Sequence, residues 1–165
     1  MAMKKRKPNW GPWAYGALFT VVLPLLLAGW AWRLDGSGLA LWPLPLPAWM
    51  GALLTAVGLG LMAAAMRDLW LLGHGLPMNA FPPENLVEDG IYGIISHPIY
   101  SGFCLFCIGM VLFHGLATGL FITVPVIMGG CIALVLGYEN IYLKKKFGKF
   151  PEPALSFRKI FSPVI

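Results

Sequence analysis

The sequence predicts an all-α, polytopic membrane helical bundle of about four transmembrane helices with a C-terminal helical hairpin. Three observations carry this. The 165 residues are 58% hydrophobic and 12% charged, with a mean hydropathy of +0.74, too apolar for a soluble domain and too short for two domains. Long uncharged runs recur along the chain. The seven tryptophans, Trp10, Trp13, Trp30, Trp32, Trp42, Trp49 and Trp70, fall at or near the ends of those runs, where amphipathic rings settle at membrane–water interfaces.

Residues 14–32 and 47–66 are each long enough to cross ~30 Å of hydrocarbon at ~1.5 Å per residue. Residues 99–113 form a short third run, adequate if the turn extends through 114–118, and 119–138 supply the return. The rival reading of the first run is a signal peptide, since the chain starts MAMKKRK. The run is long for such a segment and no clean small-residue cleavage site follows. The predicted organisation is one membrane domain over 1–165. Two N-terminal spans occupy 1–68, a cytoplasmic capping loop 69–96, the hairpin 97–147 and a basic cytoplasmic tail 148–165.

Basic residues set the orientation. Lys4, Lys5, Arg6 and Lys7 precede the first span, Arg67 follows the second, and Lys144, Lys145, Lys146, Lys149, Arg158 and Lys159 follow the fourth; Arg33 lies at the other side. The positive-inside rule then places both termini and the 67–96 loop in the cytoplasm, and the expected location is a prokaryotic plasma membrane. A net charge of +5 is accounted for by a basic rim facing anionic headgroups, so no nucleic-acid partner is expected.

The three cysteines, Cys104, Cys107 and Cys131, all fall inside predicted spans. Cys104 and Cys107 share a helical face, but no second pair completes a tetrahedral zinc site, so they read as small apolar fillers and no metal is expected. The segment LWPLPLP at 41–47 alternates prolines that forbid helix. Span two carries Ala52, Ala56, Gly60 and Ala64 at intervals of four, and span four carries Gly129, Ala133 and Gly137. Both stripes read as helix-packing seams.

The connection over 69–96 is interrupted by Gly73, Gly75, Pro77, Pro82, Pro83 and Gly90, yet keeps Leu76, Met78, Phe81, Leu86, Val87, Ile91 and Tyr92. It reads as a cap over the helix ends, where irregular backbone is tolerated if buried in protein or lining a polar cavity. It leads into GIYGIISHPIYSGF at 90–103. Ser96 is a good N-cap and Pro98 suits the first turn, so the third span is expected to begin there. Its first-turn N–H groups and the positive end of its macrodipole suit an anionic group such as a carboxylate. Glu139 lies at the cytoplasmic end of span four. Counted outward from the hairpin turn, His97 and Glu139 fall at similar depth, so the hairpin is expected to bring them to one end. An ionisable residue at that depth is a functional candidate. His74 and His114 read as interfacial residues, and Gly148 as a helix stop.

The order Gly90-Ile91-Tyr92, His97-Pro98-Ile99-Tyr100-Ser101-Gly102, Glu139 and Phe147-Gly148 resembles the integral-membrane methyltransferases that include isoprenylcysteine carboxyl methyltransferase and the phospholipid N-methyltransferases. The resemblance covers about half the chain. Ser96 stands where that family usually has arginine, and Asn140 where a second glutamate is usual. The resemblance implies S-adenosylmethionine held on the cytoplasmic side by Tyr92, His97, Pro98, Tyr100, Gly102, Glu139 and Asn140, with His97 and Glu139 as candidate catalytic residues. It implies a lipid-like, prenylated or otherwise hydrophobic methyl acceptor entering laterally from the bilayer. Two alternatives stay open: a non-catalytic lipid-binding or interaction protein, and an NADPH-dependent membrane reductase. The oligomeric state is not legible.

Overall fold

A computed structural model describes residues 22–39, 46–75 and 83–149. Within them all regular structure is helical. Helix α1 covers Leu23–Leu34 and runs into a wide π-helical turn, Asp35–Leu39. Helix α2 is Ala48–Leu72, and a 3₁₀ turn occupies Gly90–Gly93. Helix α3 is Pro98–Phe113. Helix α4, Gly119–Phe147, is continuous but uneven, with π-helical turns at Gly119–Thr123 and Val135–Glu139. Trp10, Trp13, Trp42, Met78, Phe81, most of the proline-rich segment and the basic tail lie outside the described residues.

Two of these helices, α2 and α4, are long and apolar enough to cross a membrane, while α3 is shorter. In α2 the exposed Trp49 and Trp70 are separated by a rise of ~30 Å, the thickness of a hydrocarbon core. The faces of α2 and α4 that turn away from the protein are apolar: Leu53, Val57, Leu59, Val126, Ile132, Leu134 and Leu136 are all exposed. That is the inverse of a soluble surface and suits a lipid solvent.

The spans end elsewhere than the sequence pattern suggested, for identifiable reasons. Helix α2 continues past Arg67 and Asp68 to Leu72, so residues 69–72 are helical. Gly73 then stops it. Helix α3 is flanked by His97, not Ser96. A proline pushes the residue before it out of the helical region, and His97, at φ −132° and ψ 66°, absorbs that break. The other end of α3 stops at Gly115, which has φ +68°. There Gly115 N–H donates to the Leu112 carbonyl and Leu116 N–H to the Val111 carbonyl, a Schellman closure that needs the left-handed residue. Gly148, at φ +73°, closes α4 as expected, with its N–H on the Lys144 carbonyl.

The α2–α3 pair is the packing centre of the bundle, and glycines make it. A Cβ on Gly58 would lie 2.5 Å from Phe106 N and 2.6 Å from the Gly102 carbonyl oxygen; one on Gly102 would lie 2.7 Å from Met62 Cγ. Gly51 and Gly109 oppose each other in the same way one turn pair further along. The two backbones therefore meet directly, as small residues permit in membranes. This corrects the expected seams. Ala52, Ala56 and Gly60 are exposed, no atom of the described residues comes within 4 Å of a Cβ on Gly60, Gly129 or Gly137, and Ala133 is exposed as well. The stripe on α2 that packs repeats every seven residues, Gly51 to Gly58, while the small residues at intervals of four lie on the neighbouring face.

At the end of the bundle carrying Arg33, Asp35 Oδ1 accepts the Thr118 N–H at 3.0 Å. The carboxylate satisfies the N–H of the residue that caps the start of α4, which fastens the turn after α1 to the hairpin.

Candidate active site

The opposite end gathers α2's last turns, the loop before α3, the start of α3 and the end of α4. Ala65 and Leu69 on α2 pack with Val87 and Tyr92 from the loop, and Ile91 and Ile99 close over them. The irregular segment thus covers the helix ends with buried apolar side chains. It is held by polar contacts too. Lys146 Nζ donates to the Pro83 carbonyl at 2.8 Å, and Lys149 pairs with Glu88. Glu84 N–H donates to the Gly73 carbonyl at 2.8 Å.

Asp68 fixes the Gly90–Gly93 turn. Its Oδ2 accepts the Ile91 N–H at 2.9 Å. Gly90 has φ +63°, and a Cβ there would collide with the same carboxylate. Glycine is required twice over, by its dihedral and by the close approach. Tyr92 is delivered from this turn into the core with 9% exposure. Burial above all, then the charges of Glu139 and Asp68 and the neighbouring Tyr100, push its hydroxyl well above the ordinary tyrosine value of 10.0. It stays a neutral hydrogen-bond donor at every physiological pH.

His97 and Glu139 meet here, with His97 Nδ1 3.5 Å from Glu139 Oε1. Their side chains are 19% and 31% exposed. Among the described residues Nδ1 makes no hydrogen bond, and it is buried. A buried ring nitrogen without a hydrogen-bond partner is costly, so this atom is a natural point for a further polar group. The Tyr100 ring stands edge-on to His97, with centroids 6.2 Å apart. Glu139 closes the π-helical turn Val135–Glu139. Such a widened turn advances the angular position of every residue after it, and it is a frequent feature of functional sites.

The other expected site residues are dispersed. Pro98 is fully buried at the first turn of α3. The space that Gly102 leaves is taken by Met62 and Gly58 of α2. Asn140 lines an open groove with Leu136, Ile141, Lys144 and Lys145. Asp68, in contrast, was not singled out by the sequence pattern. Its signal was a carboxylate inside the last turns of an otherwise apolar helix, a position where ionisable residues are rare without a purpose.

A family model described as phospholipid methyltransferase (PEMT) matches residues 46–150, well over half of the 165-residue chain. The chain belongs to this phospholipid methyltransferase family. The matched region runs from the start of α2 to just past the end of α4, so it contains Asp68, Tyr92, His97, Tyr100 and Glu139 together. No curated protein and no solved structure matches the chain. Membership establishes a methyltransferase family whose action on lipids agrees with the apolar exteriors of α2 and α4.

Proposed function

We propose that this methyltransferase-family chain moves a methyl group from S-adenosylmethionine to a lipid-like, prenylated or other hydrophobic acceptor at the end of the bundle where His97 and Glu139 meet. The observation that carries the reading is their convergence from α3 and α4, 3.5 Å apart, inside the region the family model matches.

The residues present fit the cofactor. Its amino-acid portion needs a carboxylate for the ammonium and donors for the carboxylate. Glu139 is a partly exposed carboxylate, and the Nδ1 of His97 is buried with its hydrogen-bonding capacity unused. Glu139 would hold the ammonium, and the start of α3, where the His97 side chain caps no backbone N–H, would face the cofactor carboxylate. The ring faces of Tyr92 and Tyr100 suit a sulfonium by cation–π attraction.

Bound S-adenosylmethionine supplies an electrophilic methyl on a positively charged sulfur. The protein's part is to align the acceptor and exclude water, and orientation of this kind contributes about 7–11 kcal/mol in favourable cases. The loop over 83–96, with Val87 and Tyr92 buried beneath it, covers the aqueous side. An acceptor that must lose a proton has His97 or Glu139 to receive it; a carboxylate acceptor needs neither. The acceptor enters from the lipid side, along the exposed apolar surfaces. The basic residues support four spans with both termini and this end of the bundle in the cytoplasm.

The test is transfer of a labelled methyl group from S-adenosylmethionine to phospholipid and prenylcysteine acceptors in vesicles holding the purified chain. Transfer to one class, lost in His97→Ala, is the expected result. No transfer to any hydrophobic acceptor, from protein that binds the cofactor, would sink the reaction as stated.

A further inference from the structure

We propose that Cys104 and Cys131 form a redox-active thiol pair, oxidised to a disulfide by an organic hydroperoxide dissolved in the bilayer, which locks α3 to α4 below the His97–Glu139 contact. This chemistry is independent of methyl transfer.

The helix register brings the two cysteines together. Cys104 follows His97 by seven residues, two turns and about 10 Å, and returns to within about 20° of the same direction. Cys131 precedes Glu139 by eight residues, which in a regular α-helix would miss that direction by about 80°. The π-helical turn Val135–Glu139 takes more residues to complete, and so removes most of the offset. The strip of α3–α4 contact that begins at His97 and Glu139, 3.5 Å apart, therefore passes through Cys104 and Cys131. There the thiols meet, the Cys131 S–H donating to the Cys104 sulfur. Both cysteines are reduced and half-buried, whereas Cys107 is buried at 6% exposure and is left as a packing residue.

The surroundings select the oxidant. Ile132, beside Cys131, is exposed and apolar, so a neutral oxidant that travels with the acyl chains reaches the pair while polar ones are held back. Cys104 receives the hydrogen bond and is the attacking sulfur. It takes the terminal oxygen of the hydroperoxide: the S–O bond forms, the O–O bond breaks, and the alkoxide leaves as an alcohol with the thiol proton. The Cys131 sulfur then displaces the hydroxide, which leaves as water with the second proton as the S–S bond forms. Two thiols lose two electrons in all, and the hydroperoxide is reduced to alcohol and water.

The test uses the full chain in dioleoylphosphatidylcholine vesicles with cumene hydroperoxide as the probe. Free thiols are expected to fall from three to one, and non-reducing peptic mapping to join Cys104 to Cys131 within one chain. The melting temperature is expected to rise by several degrees and to return with dithiothreitol. Cys107→Ala keeps the cross-link; Cys104→Ala and Cys131→Ala lose it. Relative to their rates with free cysteine, hydrogen peroxide is expected to act more slowly than cumene hydroperoxide by on the order of tenfold. Three thiols persisting in the folded wild-type chain, or a bond through Cys107 or between chains, overturns the pair. A Cys104–Cys131 bond that leaves the melting temperature unchanged overturns the lock, and equal relative rates overturn the bilayer-borne oxidant.

Discussion

The Nδ1 of His97 lies 3.5 Å from Oε1 of Glu139, joining the first residue before α3 to the last residue of the π-helical turn in α4. The pair is close enough to interact and too far apart for a good hydrogen bond, which leaves room for a ligand to complete it. A double-mutant cycle measures the consequence. Glu139→Gln and His97→Ala are each expected to weaken S-adenosylmethionine binding by tenfold or more, the scale of a hydrogen bond to a charged group. The double variant is expected to be less impaired than the product of the two. Strict additivity in calorimetry would show that the two side chains act separately.

Asp68 acts on the site through the turn that carries Tyr92. Asp68→Ala removes the acceptor of the Ile91 N–H, and Gly90→Ala drives a methyl group into the carboxylate. Each is expected to destabilise the turn by about 1–3 kcal/mol. The readout is faster amide exchange across 86–95, with α2 and α3 remaining protected. Unchanged exchange in both variants would show that the turn holds without Asp68.

The α2–α3 seam predicts a sharp contrast between two glycines of one helix. Gly58→Ala places a Cβ 2.5 Å from Phe106 N and is expected to lower the melting temperature in detergent by several degrees, reflecting about 1–3 kcal/mol of overpacking. Gly60→Ala meets none of the described residues within 4 Å and is expected to be neutral or slightly stabilising. Equal behaviour of the two would refute the packing.

The alkaline limb of stability reports on Tyr92. Its hydroxyl pKa is raised in the folded protein from the ordinary value of 10.0, so above pH 10 the unfolded chain loses this proton while the folded one keeps it. The contribution is complete below pH 10 and declines as pH rises further. Tyr92→Phe is expected to flatten that decline in thermal melts across pH 9–11. An identical slope in the variant would mean that the hydroxyl is not held neutral by the fold.

Composition and the aromatic belt made the helical membrane class legible, and the motif order made the family legible, because both depend on residue types along the chain. Depth counting placed His97 and Glu139 at one end, since a helical hairpin preserves axial distance. The rotation around each helix was not legible. The small residues spaced by four mark the Ala52–Gly60 face, whereas the seam lies on the Gly51–Gly58 face, a difference of one residue in phase that only the partner helix decides. The π-helical turn ending at Glu139 carries no composition signal, and Asp68 recognises a backbone N–H from a distant loop, which no local pattern encodes.

The most direct test of the central claim is binding of S-adenosylmethionine, S-adenosylhomocysteine and NADPH to the detergent-solubilised protein by calorimetry, with Glu139→Ala alongside. The first two are expected to bind and NADPH is not, and Glu139→Ala is expected to lose both while retaining its melting transition. NADPH binding alone, or no binding by well-folded protein, would contradict it.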